Sequence, residues 1–251
     1  MNGMPMKRPF ALSAMPNSHR SELVVNLVLA RSPDNQALTG IADIWRAFQG
    51  LAECGGLSGA MHDPGLARAL VCTTDLKETT VRASFRDLVV DPAGLFVLAN
   101  MLHWLHEKII PLQRATILWP ANERVVRTDE PQFPDPWPHY SFELEIGDLI
   151  DDIDLEIELM APQPKAITDR VVDTLSDWLL ATHRGGFANE MFKPAESIVF
   201  LGPDLMNIEA DYVAWFIEAI RADESALDSL LNVLEWIHQN VAPIRSVSLG
   251  P

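Results

Sequence analysis

Cysteine is scarce in this chain: Cys54 and Cys72 are the only two among 251 residues. So few exclude a disulfide-stapled framework, and without a CxxC or Cys/His cluster no zinc site of ordinary spacing is indicated. Cys72, in the apolar run Ala69-Leu70-Val71-Cys72, is expected to be a small buried hydrophobe, while Cys54 stands just before Gly55-Gly56 at a helix end.

Long apolar runs are missing too. No stretch approaches the roughly 18 apolar residues of a membrane-crossing helix. The N-terminal Pro9-Phe10-Ala11-Leu12 is too short for a signal-peptide core, so a cytoplasmic protein is the expectation. Basic charge is also short, with 19 Lys and Arg against 35 Asp and Glu and a formal net charge of −16. Phosphate recognition needs clustered Lys and Arg, so neither nucleic acid nor an anionic membrane surface fits as a partner. The same charge suits a basic protein or a cation.

Catalytic signatures are absent: there is no GxGxxG, Walker loop, GxSxG or HExxH. Gly55-Gly56-Leu57-Ser58-Gly59 follows a helix instead of opening one, so it lacks the helix N-terminus of a phosphate cradle. His62-Asp63 and His183-Arg184 have no supporting constellation. The sequence therefore assigns no catalytic residue, no cofactor and no metal ligand.

What is present is a repeat. Asn100-Met-Leu-His-Trp-Leu-His-Glu-Lys-Ile-Ile-Pro111 recurs as Asn232-Val-Leu-Glu-Trp-Ile-His-Gln-Asn-Val-Ala-Pro243, matching Trp104 to Trp236 and His106 to His238. Upstream, with a small change of register, Gly55-Gly56 matches Gly185-Gly186 and Leu27 matches Ile157. A fixed internal period marks duplication of one structural unit.

Each copy shows the same series. The β-rich runs Val24–Ala30 and Ile153–Met160 end at Pro33 and Pro162. Helical spacing follows in Leu38, Ile41, Trp45 and Phe48, and in Ile167, Val171, Leu175 and Trp178, closing on the Gly-Gly pairs. Two strands come next, predicted as Leu66–Thr73 with Thr80–Leu88, and Ser197–Leu201 with Met206–Phe216, turning at Asp75-Leu76-Lys77 and Gly202-Pro203-Asp204. Second helices, 92–109 and 224–240, are opened by Asp91 and Asp223 and stopped by Pro111 and Pro243. Last strands are predicted at Gln113–Leu118 and Arg245–Leu249.

The order β-α-β-β-α-β resembles the ferredoxin-like split βαβ unit. The resemblance implies an α/β (α+β) chain with two antiparallel sheets and helices on one face of each. Two such copies can cover each other's open faces or join sheet edges. Residues 1–20 are expected to be disordered or extended, 21–119 to form copy one, 120–139 a linker and 140–251 copy two. Pro131, Pro134, Pro136 and Pro138 make the linker extended, whether as a spacer or a docking segment. Tyr140–Ile146 alternates Phe142, Leu144 and Ile146 with Glu143 and Glu145, which predicts one extra strand.

Three features are candidate sites. Asp152, Asp154, Glu156 and Glu158 alternate with apolar residues, which puts four carboxylates on one strand face about 7 Å apart. Copy one has Val24, Asn26 and Val28 there instead, and carries Arg82, Ser84 and Arg86 on its third strand. Either Arg82 and Arg86 meet the acidic strand across the interface, or that strand receives a basic partner. A pocket between the copies, lined by Arg82, Arg86, Phe85, Trp215 and Phe216, would instead suit a small carboxylate ligand or cofactor-free catalysis. The third feature is Trp-x-His: the tryptophans are expected to anchor helix to sheet and the histidines to favour the helix C-terminus. His103, His106 and Glu107 could alternatively approach a metal or form a base. The sequence favours a non-enzymatic acidic protein that binds or neutralises a basic partner, and leaves oligomeric state open.

Overall fold

The computed structural model describes residues 8–17, 22–54, 56–57, 71–86, 92–120, 140–147, 152–188, 204–217 and 224–250. The prolines at 131–138, the caps Asp91 and Asp223, His62-Asp63, Ser197–Leu201 and Gly202-Pro203 lie outside the described residues.

The first unit runs β1 (Ala11–Asn17), β2 (Glu22–Leu29), α1 (Asn35–Glu53), β3 (Val71–Lys77), β4 (Thr80–Arg86), α2 (Pro92–Lys108) and β5 (Leu112–Pro120). The second runs β6 (Glu143–Ile146), β7 (Ile153–Leu159), α3 (Lys165–His183), β8 (Asp204–Ile208), β9 (Tyr212–Ile217), α4 (Glu224–Asn240) and β10 (Ile244–Gly250). Two five-stranded sheets result, ordered β1-β5-β2-β4-β3 and β6-β10-β7-β9-β8. The identical orders match the duplication seen in the sequence.

Each unit thus holds one strand more than β-α-β-β-α-β. The extra strand of the second unit is part of the expected 140–146 run. Its counterpart β1 falls in the segment 1–20, which the sequence left out of the fold. Both extra strands pair in parallel, β1 with β5 and β6 with β10, so the sheets are mixed and not purely antiparallel.

The hairpins also sit differently from expectation. Strand β3 continues through Asp75-Leu76-Lys77 and turns at Glu78-Thr79, where Glu78 takes φ 48°. The predicted strand Met206–Phe216 is broken into β8 and β9, with Glu209 N–H donating to the Tyr212 carbonyl across the turn (2.8 Å). Turn composition pointed to Gly202-Pro203-Asp204, yet β9 must run to Ile217 to pair with Ile153, and that pairing moves the reversal downstream.

Helix placement follows the apolar stripes. Asp34 caps α1 by accepting from Ala37 N–H (2.9 Å). At the end of α3, Gly185 adopts φ 72° and Gly186 N–H donates to the Ala181 carbonyl (2.9 Å), a helix stop that glycine makes without strain. On the first sheet Leu23, Val25, Leu27, Val81, Ala83 and Phe85 are buried beneath the helices, with Phe85 edge-on to Trp45 and Phe48. Leu155, Ile157, Val213, Trp215 and Val247 do the same on the second.

The units meet through their helices, not through open sheet faces or joined edges. Helix α1 packs on α3. Between them Arg46 pairs with Asp177 (3.0 Å) and Arg184 with Asp43 (2.5 Å). Gly50 permits this approach, because a Cβ there would lie 2.0 Å from Asp177 Oδ2. Asn100, fully buried on α2, donates to the carbonyls of Gly186 (3.0 Å) and Ala188 (2.8 Å). The layers are sheet, helices, helices, sheet, and the outer face of each sheet points away from the other unit. No described helix is long and apolar enough to cross a membrane.

Candidate functional site

Side chains alternate along β7, so Ile153, Leu155, Ile157 and Leu159 enter the core while Asp154, Glu156 and Glu158 stand on the outer face, half-buried. Ladder pairing extends this row across the sheet. Ser246 lies opposite both Glu143 and Glu158, and Ser248 opposite both Glu145 and Glu156. Paired residues share a face, so the exposed Glu143 and Glu145 of β6 join the three carboxylates of β7. Tyr212 continues the Glu158 row, and Phe216 sits opposite Asp154. Five carboxylates and two aromatic rings therefore occupy one face. With strands about 4.8 Å apart, the acidic rows of β6 and β7 lie about 10 Å from each other. Asp152 is exposed one residue before the strand.

Some of this charge is engaged locally. Arg245 pairs with Glu158, and Ser246 Oγ donates to the other oxygen of that carboxylate (3.2 Å). Tyr212 is pushed up to about 12 by burial, by its hydrogen bond to Glu156 and by the neighbouring charges. Asp154 Oδ1 is buried with no hydrogen-bond donor among the described residues.

The corresponding face of the first sheet differs. Arg82 lies between Asn26 and Asp75, Arg86 opposite Glu22, and Arg114 opposite Val28. Arg86 faces Glu22 at 3.8 Å, and Val24 and Ser84 on the same face are buried. Arg82 and Arg86 thus do not meet the acidic strand, since two helix layers intervene. Nor do the five residues proposed to line a pocket converge. Phe85 and Trp215 are buried against the helices of their own units. Arg82, Arg86 and Phe216 lie on the outer faces of two different sheets.

The Trp-x-His motif resolves into a staple. His106 Nδ1 accepts the Leu112 N–H (2.9 Å), and His238 Nδ1 accepts the Ile244 N–H (3.0 Å). Each histidine ties its helix to the strand beyond the stopping proline, in the same way in both units. Phe10 and Phe142 pack on the two rings at 5.4 and 6.1 Å. The tryptophans meet arginines at α3 and its C-cap: Arg184 lies over Trp104 at 4.3 Å and Arg170 over Trp236 at 5.8 Å. Trp104 therefore joins the two units in addition to packing in the core.

His106 takes no part in a site with His103 and Glu107. Arg8 donates to His103 Nδ1 (3.2 Å) and to Asn100 Oδ1 (2.5 Å), while His103 Nε2 donates to Glu107 (3.3 Å). Arginine has no acceptor, so this arrangement places the neutral-ring proton of His103 on Nε2. Burial pushes the imidazole down, against the opposing pull of Glu107. In the second unit Glu235 replaces His103 and accepts from Ser141 N–H (3.0 Å) and Oγ (2.7 Å). Both constellations fasten the entry to the extra strand. No group of three or more potential metal ligands occurs among the described residues.

Sequence reasoning missed Glu143 and Glu145 as members of the acidic face, although their alternation with Phe142, Leu144 and Ile146 was the available signal. It also missed Asp177. That carboxyl is raised to about 6 by burial between α1 and α3, against the opposing effect of Arg46.

No known family model matches the chain, and no curated protein does either. Among solved structures, a protease from Helicobacter pylori aligns at 10% identity over 92% of this chain and 78% of its own, with a TM-score of 0.20. A conserved protein from Enterococcus faecalis V583 aligns at 8% identity over 89% of this chain and 76% of its own, with a TM-score of 0.21.

Proposed function

We propose that this chain is a non-enzymatic interaction protein that binds, and thereby neutralises or regulates, a basic protein partner through the outer face of its second sheet. The observation that carries the reading is the ladder register that puts Glu143 and Glu145 beside Asp154, Glu156 and Glu158. A row of like charges on one strand is an ordinary solvated surface, whereas two rows about 10 Å apart form a patch wide enough for several Lys or Arg side chains. Tyr212 and Phe216 supply the aromatic contact area that interfaces favour. The half-buried carboxylates of Asp154, Glu156 and Glu158 offer an incoming guanidinium or ammonium a row of acceptors. The net charge of −16 adds long-range attraction for a basic partner, which speeds encounter. The proposal places the protein in the cytoplasm, in keeping with its two unpaired cysteines.

Native mass spectrometry of the chain captured from its own cells tests this, beside a variant carrying Glu145→Lys and Glu156→Lys. The expected result is a basic protein bound to the natural chain and lost from the variant, with circular dichroism unchanged. Equal capture by both would contradict the proposal, as would a bound partner of acidic composition.

A further inference from the structure

The four outer edges of the two sheets are not alike. Strand β6 has four residues; β8 has five, with its register broken between Leu205 and Asn207; β1 carries Pro16, which has no N–H. Such short, bulged or proline-bearing edges resist pairing with other chains. Strand β3 has none of these features: it runs seven residues in unbroken register with β4 and ends the first sheet. Thr73, Thr74, Asp75, Leu76 and Lys77 are all exposed, and Leu76 is 46% exposed on the apolar side of the sheet.

The direction of its backbone groups can be worked out. Leu29 N–H donates to the Thr79 carbonyl (2.8 Å), so Thr79 turns toward β2. Alternation then turns Thr80, Arg82 and Ser84 toward β3, where they pair with Lys77, Asp75 and Thr73. The N–H and C=O groups of Cys72, Thr74 and Leu76 therefore point outward. Thr74 is the middle residue of the seven.

From this geometry we infer that β3 is a homodimer edge: it pairs antiparallel with β3 of a second copy about a two-fold axis at Thr74, joining two five-stranded sheets into one. An axis at Thr74 satisfies the outward groups of all three residues in both copies. It sets Cys72 against Leu76 of the second copy on the apolar side, Thr74 against Thr74, and Thr73 against Asp75 on the other side. The pairs nearest the axis are apolar or able to hydrogen-bond, Val71 stands against Lys77 at the two ends, and no like charges meet, which suits cross-strand pairing. Moving the axis to Leu76 would leave the first half of the strand unpaired. A second copy is the occupant that fits, because residues 72–76 of the strand are complementary to themselves about Thr74. The acidic face lies on the other sheet, so pairing here leaves the proposed partner site free.

Sedimentation of the full chain over a wide concentration series at moderate salt tests the inference, salt being needed to screen the net charge. The expected result is a monomer–dimer equilibrium. Thr74→Pro removes an outward N–H, which an edge strand tolerates, and should weaken association by tenfold or more without altering circular dichroism. Thr73→Lys, placed opposite Asp75 of the second copy, should tighten it a few-fold. A monomer at every concentration would overturn the inference. So would a dimer indifferent to Thr74→Pro, or one weakened by Thr73→Lys.

Discussion

Asp177 offers a direct check on how the two units are joined. Its carboxyl packs against the Gly50 backbone between α1 and α3 and accepts a hydrogen bond from Arg46 Nε (3.0 Å). Burial outweighs that partner and raises it from 3.8 to about 6. The folded state therefore holds this proton to higher pH than the unfolded chain does. The group lowers stability as pH rises from 3.8 toward about 6, and its cost is constant above that. A gap of about two pH units corresponds to about 3 kcal/mol at pH 8. Asp177→Asn keeps the shape and an acceptor for Arg46 while removing the charge. The variant is expected to be more stable than the natural chain by about 2 kcal/mol at pH 8, allowing for residual solvent screening, and within about 0.5 kcal/mol of it at pH 4. Urea denaturation followed by tryptophan fluorescence at the two pH values measures the difference, and other carboxylates cancel in the comparison. Loss of stability at pH 8, or an equal gain at both pH values, would refute the reasoning.

Three further outcomes follow from packing and hydrogen bonding. His238→Ala leaves the buried Ile244 N–H without its acceptor and should cost about 1–3 kcal/mol in denaturant unfolding, with His106→Ala behaving alike at Leu112. Gly50→Ala should destabilise by about 2 kcal/mol or more, since its methyl would fall 2.0 Å from Asp177 Oδ2, and pairing it with Asp177→Ala should recover only part of that loss in a double-mutant cycle, because the Asp177 Cβ that remains would still lie 2.7 Å away. Burial, reinforced by Asp177 and Glu53, raises the Cys54 thiol, so a thiol reagent at pH 8 should modify Cys54 far more slowly in the folded chain than in urea.

The repeat, the helices and the extent of α4 were legible in the sequence because helical apolar spacing and a recurring Trp-x-His survive duplication. The role of His106 and His238 was only half legible. Helix position was visible, but the acceptor bond runs to a strand six residues on, beyond a proline. Strand β1 escaped notice because an edge strand needs few apolar residues, and Ala11–Asn17 has no run that stands out. Helix-to-helix packing of the units was not legible at all. Gly50 and Asp177 look like a weak helix position and a solvated charge until α1 meets α3. Asn100 was the overlooked hint, since an amide amid apolar neighbours marks a buried polar contact, here to the carbonyls of Gly186 and Ala188. On the acidic face, period-two alternation revealed each strand's charges, while the register that unites β6 with β7 comes from β10 between them.

Hydrogen–deuterium exchange of the chain with and without its captured partner tests the central claim most directly. Protection is expected in β6, β7 and β9, where Glu143, Glu145, Asp154, Glu156 and Tyr212 share a face. Protection confined to β1–β5, with the second sheet unchanged, would contradict it.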